Sequence, residues 1–480
     1  MESSVLQGIT TELGGQCGQS IAPTDRQESA LFQEFYRNHW FGLDLDWRWV
    51  TFGDYLNRLE QAGTSINFGM QVGHQNLRLI SMGYACRAAS QDEINRLKRD
   101  LAVALDEGAF GMSCGLQWAP GFFSATEEII QLGKIVAQFD GFLAFHMRSE
   151  GDKVLEAVAE VIEIGEKAGV PVQISHLKAA GKRNFGKVNR ALEMVQAARS
   201  RGVDVLVDIQ PYGPLDRTYA AENMWMRSCI PPWALAETGG YHNFQQKLAD
   251  PTFRARLRHD VEQKISPLWQ SSIVDCMFEN VGWEGLVLGT TSCDALKPHV
   301  GESVAEIAQL WGKDPFDAYF DLLQMENGVA SGALFFMMDP PDVRTVVESP
   351  YAIPEIDPAP RHNHPRKHGG FVRYLVDYGA KDGAMTLEEA VRKITAFPAA
   401  RLGFTDRGSI VAGHWADICV LDADALADRA NFVDTAVSPA GVVHVLVNGQ
   451  FVVQNGEHTG AKPGKVLRKQ DVSLSASGAT

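Results

Sequence analysis

From Gly8 to Tyr212, short apolar runs alternate with amphipathic helical segments, and that alternation restricts the chain to parallel strands joined by crossover helices. The β-like runs are Gly8–Cys17, Ile66–Gly73, Ala109–Gly115, Phe142–Arg148, Val172–Lys178 and Val203–Tyr212. Asp92–Glu107, Thr126–Gln138, Lys153–Ala168 and Lys187–Arg201 repeat their apolar residues at three-to-four spacing, as a helix with one buried face does. An open doubly wound sheet would carry a glycine-rich phosphate loop after its first strand, and none stands in that context. The pattern predicts a distorted (β/α)8 TIM-type barrel. A length of 480 residues accommodates a barrel of ~250 residues or more plus a smaller module.

The barrel is expected over 1–403, interrupted at about 213–282 by a Pro- and Trp-containing stretch too long for an ordinary connection. After the helical segment Thr386–Leu402 the pattern changes to short strands at Gly408–Val411, Ala416–Leu421, Val442–Val447 and Gln450–Val453. Asn448-Gly449 marks a hairpin between the last two. This predicts a C-terminal β-sandwich module over 404–468, and the polar, Ser-rich residues 469–480 form an expected flexible tail.

Forty-four Lys and Arg against 59 Asp and Glu give a net charge of −15, the wrong sign for a nucleic-acid partner. No stretch approaches the ~18 apolar residues of a membrane span, and MESSVLQGITTELGG lacks a basic n-region followed by an apolar h-region. A cytoplasmic protein without membrane contact is expected, and a homo-oligomer is compatible with the sequence. The seven cysteines show no paired spacing, so no disulfide framework is expected.

Barrel active sites lie at the carboxyl ends of the strands. Cys17, His146 and His176 close three of the predicted strands, and Asp357 follows the short run Tyr351–Ile356. Catalytic zinc takes three ligands from Cys, His and carboxylate and leaves a position for water, and a nearby carboxylate can accept that water's proton. Cys17, His146 and His176 would be the ligands and Asp357 the base. Singly, each histidine reads equally well as a hydrogen-bonded structural group, and Asp357 as a loop carboxylate between prolines. The combination is what points to a metal.

QGITTELGGQCGQSIAP, VGHQNLR, GAFGMSCGLQWAPG, FHMRSEGD, ISHLKAAGKRNFGKV, HPRKHGGFVR, GHWADICVLD and VLVNGQ run in order through nearly the whole chain. With these motifs the sequence resembles the D-aminoacylase or N-acyl-D-amino acid deacylase group of the amidohydrolase superfamily, metallo-dependent hydrolases built on a barrel. The resemblance implies Zn2+ held by Cys17, His146 and His176. It also implies that Lys178 holds the carboxylate of a small-molecule N-acyl amino acid, with Arg148 and Glu150 in the same H-x-R-x-E segment. The group's catalytic aspartate lies in a G-S-D-G motif seven residues after a proline, and Asp357 occupies that place after Pro350 in the context PEIDP.

Two departures stand out. Where the group has Y-P-Y, a substrate-carboxylate contact, this chain has Gln210-Pro211-Tyr212. The opening strands and the first-strand H-x-H of amidohydrolases are expected to be missing ahead of Cys17, which would leave one zinc at most. The expected activity is hydrolysis of N-acyl-D-amino acids. The alternatives are a cyclic amidase of the hydantoinase or dihydroorotase type, or a truncated, catalytically impaired protein of the same fold.

Overall fold

The computed structural model describes residues 2–24, 29–39, 45–212, 220–263, 280–326, 331–357, 364–381, 384–432 and 434–472. The strands up to the end of the barrel are β1 (Thr11–Gly14), β2 (Asn67–Met70), β3 (Val72–Gly73), β4 (Gly111–Gly115), β5 (Phe142–His146), β6 (Val172–Ile174), β7 (Val205–Ile209), β8 (Ala220–Trp225), β9 (Leu286–Thr290), β10 (Gly332–Met338) and β11 (Ala352–Pro354). β3, β4, β5, β6, β7 and β11 form one parallel sheet in that spatial order, and β1 pairs in parallel with β2. Gln71 alone separates β2 from β3, so β1, the β2–β3 run and β4 follow one another as barrel strands do. Among the described residues no pairing joins β1 to β11.

Each residue of β4, β5, β6 and β7 is buried, the signature of parallel strands covered on both faces. Outside them pack the helices Gln91–Asp106, Thr126–Gln138, Val154–Ala168 and Lys187–Ser200. Gln91–Asp106 starts at a capping box between Ser90 and Glu93, and Val154–Ala168 stops at Gly169, whose φ of 64° an L side chain rarely adopts. Leu97, Leu101, Ile129, Leu132, Val158 and Val161 turn inward from these helices. Burying such a side chain fully contributes roughly 1.5–3 kcal/mol, and this layer fixes where the strands end.

The excursion between β7 and β11 is larger than the sequence pattern predicts. β8, β9 and β10 form a separate antiparallel sheet in the order β8–β10–β9, flanked by the helices Pro232–Thr238, Tyr241–Lys247 and Pro251–Gln263.

The C-terminal module is a single antiparallel sheet of β12 (Ile418–Leu421), β13 (Val442–Val447), β14 (Gln450–Gln454) and β15 (Glu457–His458). Asn448 and Gly449 sit at φ 49° and 82°, the geometry of a tight hairpin turn. The expected sandwich is realised differently: Val445, Val447, Val452 and Val453 pack on Val5, Ile66 and Val372, so the second layer comes from the barrel. Gly408–Val411 forms no strand, and Ile410 and Val411 are exposed. Of the expected flexible tail, Lys469–Val472 is ordered, with Val472 buried against Phe110 and Phe142, and 473–480 lie outside the described residues. No described helix is long and apolar enough to cross a membrane.

Candidate metal centre

His146 is the last residue of β5, His176 follows β6 by two residues, and Cys17 follows β1 by three. The sheet's parallel order brings these ends together. Cys17 Sγ lies 3.4 Å from His176 Nε2, which lies 3.0 Å from His146 Nδ1. All three ligand atoms fall within 4.8 Å of one another. A tetrahedral zinc with bonds of ~2.3 Å to sulfur and ~2.0–2.1 Å to nitrogen spaces its ligand atoms roughly 3.3–3.6 Å apart, so the three fit such an ion.

The backbone is bent to aim them. Cys17, His176 and Asp357 have φ of 53°, 38° and 40°, left-handed values that cost on the order of 1–3 kcal/mol in a non-glycine residue. Local contacts hold them. Asp208, on β7, accepts the His176 N–H. The Gly18 N–H donates 3.0 Å to Ser113 Oγ, and a Cβ on Gly18 would stand 2.4 Å from the Gly115 nitrogen, so only glycine lets the Cys17 loop lie this close to β4.

Each histidine is fixed on its far side. Gln117 Oε1 accepts from His146 Nε2 at 2.6 Å, and Trp118 lies over the His146 ring with centroids 4.0 Å apart. Glu150 Oε1 accepts from His176 Nδ1 at 2.8 Å and from Lys178 Nζ at 2.7 Å. With the ring N–H groups directed at Gln117 and Glu150, His146 Nδ1 and His176 Nε2 turn their lone pairs to the Cys17 side. Against burial, which raises it, Lys178, His146 and His176 hold the Glu150 carboxyl well below its ordinary range. Burial, with Asp357, Glu355, Asp208 and Glu150 around it, pushes the Cys17 thiol well up, so a thiolate here calls for a cation.

Asp357 follows β11, and its carboxylate is near enough to act on Cys17 electrostatically. Its Oδ2 accepts from Arg366 Nη2 at 2.7 Å, and the same guanidinium reaches Gln210 Oε1 at 3.1 Å and the Ile356 carbonyl at 3.0 Å. Among the described residues, Gln210 Nε2 is buried without a partner. The structure thus gathers Cys17, His146, His176, Lys178, Asp357 and Gln210. Arg148 turns elsewhere, onto the Glu160 carboxylate and the carbonyls of Phe122 and Ser124. The Tyr212 hydroxyl donates to Asp428 Oδ2 at 3.0 Å, beside the C-terminal module.

Sequence reasoning missed Gln117, Asp208 and Arg366. Arg366 sits inside a quoted motif, but only the fold shows it buried against Asp357. One histidine-x-histidine triplet does exist far from the first strand, His362-Asn363-His364. His362 and Asn363 lie outside the described residues, and His364 Nδ1 accepts the Arg366 N–H at 3.1 Å, so this histidine caps the turn into the helix Arg366–Tyr374.

The amidohydrolase family model matches residues 1–453. The chain belongs to the amidohydrolase family. This amidohydrolase is 31% identical over 479 residues to the N-acyl-D-glutamate deacylase of Alcaligenes xylosoxydans xylosoxydans, with 99% of this chain and 83% of that protein covered. Among solved structures it resembles the N-acyl-D-glutamate deacylase of Bordetella bronchiseptica, complexed with zinc and a phosphonate mimic of the tetrahedral intermediate. That match has TM-score 0.76 and 28% identity over 97% of this chain and 84% of the other. A D-aminoacylase structure, described by one-metal activation and second-metal attenuation of its binuclear centre, matches with TM-score 0.75 and 29% identity over the same shares.

Proposed function

We propose that this amidohydrolase hydrolyses the amide bond of N-acyl-D-amino acids to a carboxylate and a D-amino acid, using zinc held by Cys17, His146 and His176. The observation that carries the reading is the convergence of one half-buried sulfur and two buried imidazole nitrogens, each histidine fixed from behind. The names of the similar deacylases, and the zinc and inhibitor in one of them, support the substrate class and the metal. A relative activated by one metal supports a working site of three ligands.

Bound there, a divalent metal supplies Lewis acidity to the acyl carbonyl and makes water a better nucleophile at neutral pH. The remaining work falls to the protein. Asp357 takes the proton from the attacking water and hands it to the leaving nitrogen, and Arg366 keeps its carboxylate aimed. Lys178 offers its ammonium to the substrate carboxylate as a point charge, and Gln210 Nε2, unpartnered among the described residues, supplies a further donor. Arg148 and Tyr212, bonded to Glu160 and Asp428, are not assigned a substrate contact in this reading. In this reading residues 1–403 are the catalytic barrel, the excursion after β7 shapes the substrate side, and 404–468 brace the barrel.

The test is amine release from paired N-acetyl-D- and N-acetyl-L-amino acids with and without added zinc. Zinc-dependent release from the D series alone is expected. Release from the L series alone, or from neither, overturns the proposal.

A further inference from the structure

Asn280, in the excursion just ahead of β9, is wedged against the two loops that leave the metal centre. One loop runs on from His146 through Glu150 and Gly151, the other from His176 through Lys178 and Gly181. The Ala180 N–H donates to the Glu150 carbonyl at 2.6 Å and joins them, and the Gly181 N–H donates to the Met337 carbonyl on β10 at 2.8 Å.

Both loops meet Asn280 at glycine. A Cβ on Gly151 would stand 2.9 Å from Asn280 Oδ1 and closer still to Nδ2. One on Gly181 would stand 3.0 Å from Asn280 Cα and 3.2 Å from Oδ1. Gly181 has a φ of 88°, which favours glycine by itself, whereas the φ of Gly151 is not positive. At 151 it is therefore the approach of Asn280, not the backbone, that excludes a side chain. Asn280 is 8% exposed, and among the described residues neither Oδ1 nor Nδ2 has a hydrogen-bond partner. Its amide acts on the loops by filling the space between them.

We infer that Asn280 is a positioning residue for the metal centre: it holds the Glu150 loop against the Lys178 loop and, through Glu150, fixes His176. The line of contact is short. Gly151 follows Glu150, whose Oε1 accepts from His176 Nδ1 at 2.8 Å and from Lys178 Nζ at 2.7 Å. A displacement of the Gly151 backbone is passed to a ligand imidazole and to the ammonium offered to substrate. The inference rests on the zinc reading above, and zinc affinity separates the two without recourse to hydrolysis.

That affinity is measured by competition with a chromophoric chelator, beside the unfolding midpoint of each variant. Asn280→Ala and Gly151→Ala are each expected to weaken zinc about ten-fold, the lower end of what a group behind a metal ligand is worth. The methyl added at 151 enters space that the shortened side chain at 280 vacates, so the double variant should bind zinc more tightly than Gly151→Ala alone. A role confined to stability would lower the midpoint and leave the affinity of the folded chain unchanged. Should Gly151→Ala not fold, folding restored by adding Asn280→Ala carries the same conclusion, and a double variant that also fails to fold overturns it. Parental zinc affinity in Asn280→Ala, or a double variant no tighter than Gly151→Ala, likewise overturns the inference alone. A parent chain that holds no zinc overturns the metal reading and this inference with it.

Discussion

Glu150 Oε1 stands 2.8 Å from His176 Nδ1, on the opposite side of the imidazole from the Nε2 that faces Cys17 at 3.4 Å. The same oxygen takes the Lys178 ammonium at 2.7 Å, so one buried carboxylate orients a ligand and anchors a cation. Outer partners of this kind set both the tautomer and the basicity of a ligating histidine.

Replacing that carboxylate therefore acts on metal retention before it acts on chemistry. Glu150→Gln is expected to lower zinc affinity by about 10–100-fold, measured by competition with a chromophoric chelator. Affinity equal to the parent's would remove Glu150 from this role.

Asp357 is held by Arg366 and contributes no ligand atom to the three-residue cluster, so its loss should separate binding from turnover. Asp357→Asn is expected to retain zinc while kcat falls about 10²–10⁴-fold, the usual worth of a general acid–base group. Steady-state assay alongside metal analysis checks it, and near-full activity would sink the assignment of the base.

Glu128 is buried, bonded to His74 Nε2 at 2.8 Å and to Arg78 Nη1 at 2.6 Å. Although burial raises its pKa, His74 and Arg78 bring the Glu128 carboxyl down to about 2 from an ordinary 4.5. The stability it contributes is full above about pH 4.5 and lost as pH falls through about 2. Glu128→Leu leaves the Arg78 guanidinium buried without its carboxylate, and denaturant unfolding near neutral pH should show a loss of about 3–5 kcal/mol. A change under about 1 kcal/mol would contradict the pairing.

Glu326 shows the opposite sign. Burial raises its carboxyl to about 7, and its oxygens accept from Tyr241 Oη and the Ser331 N–H. The fold thus favours the neutral acid: this contribution is full below the ordinary 4.5 and lost as pH rises through about 7. Glu326→Gln keeps an acceptor for Ser331 and should be more stable than the parent at pH 8 by roughly 3 kcal/mol, with the difference vanishing near pH 4. Denaturation midpoints across that range decide it, and a difference independent of pH would refute it.

Much of the architecture was legible in the chain. Apolar runs at Phe142 and Val205 had to be parallel strands because helical segments of crossover length lie between them, and the ligand residues stand where those runs end. Alternation could not say which strands neighbour which. Hence the excursion was bounded at Gly282, whereas β8 finds its partner in β10, more than a hundred residues later. The run at Val172 stops at Ile174 because His176 turns left-handed, a change no apolar pattern records.

The sequence by itself determined the types of ligand and their order, Cys17, His146 and His176, since a side chain's chemistry is fixed at its own position. Only the tertiary structure decided their company: Gln117 behind His146, Glu150 behind His176, Arg366 between Asp357 and Gln210. The reason is physical. Orientation and charge compensation depend on groups up to 156 residues apart in the chain, brought within hydrogen-bond distance when parallel strands align their carboxyl ends.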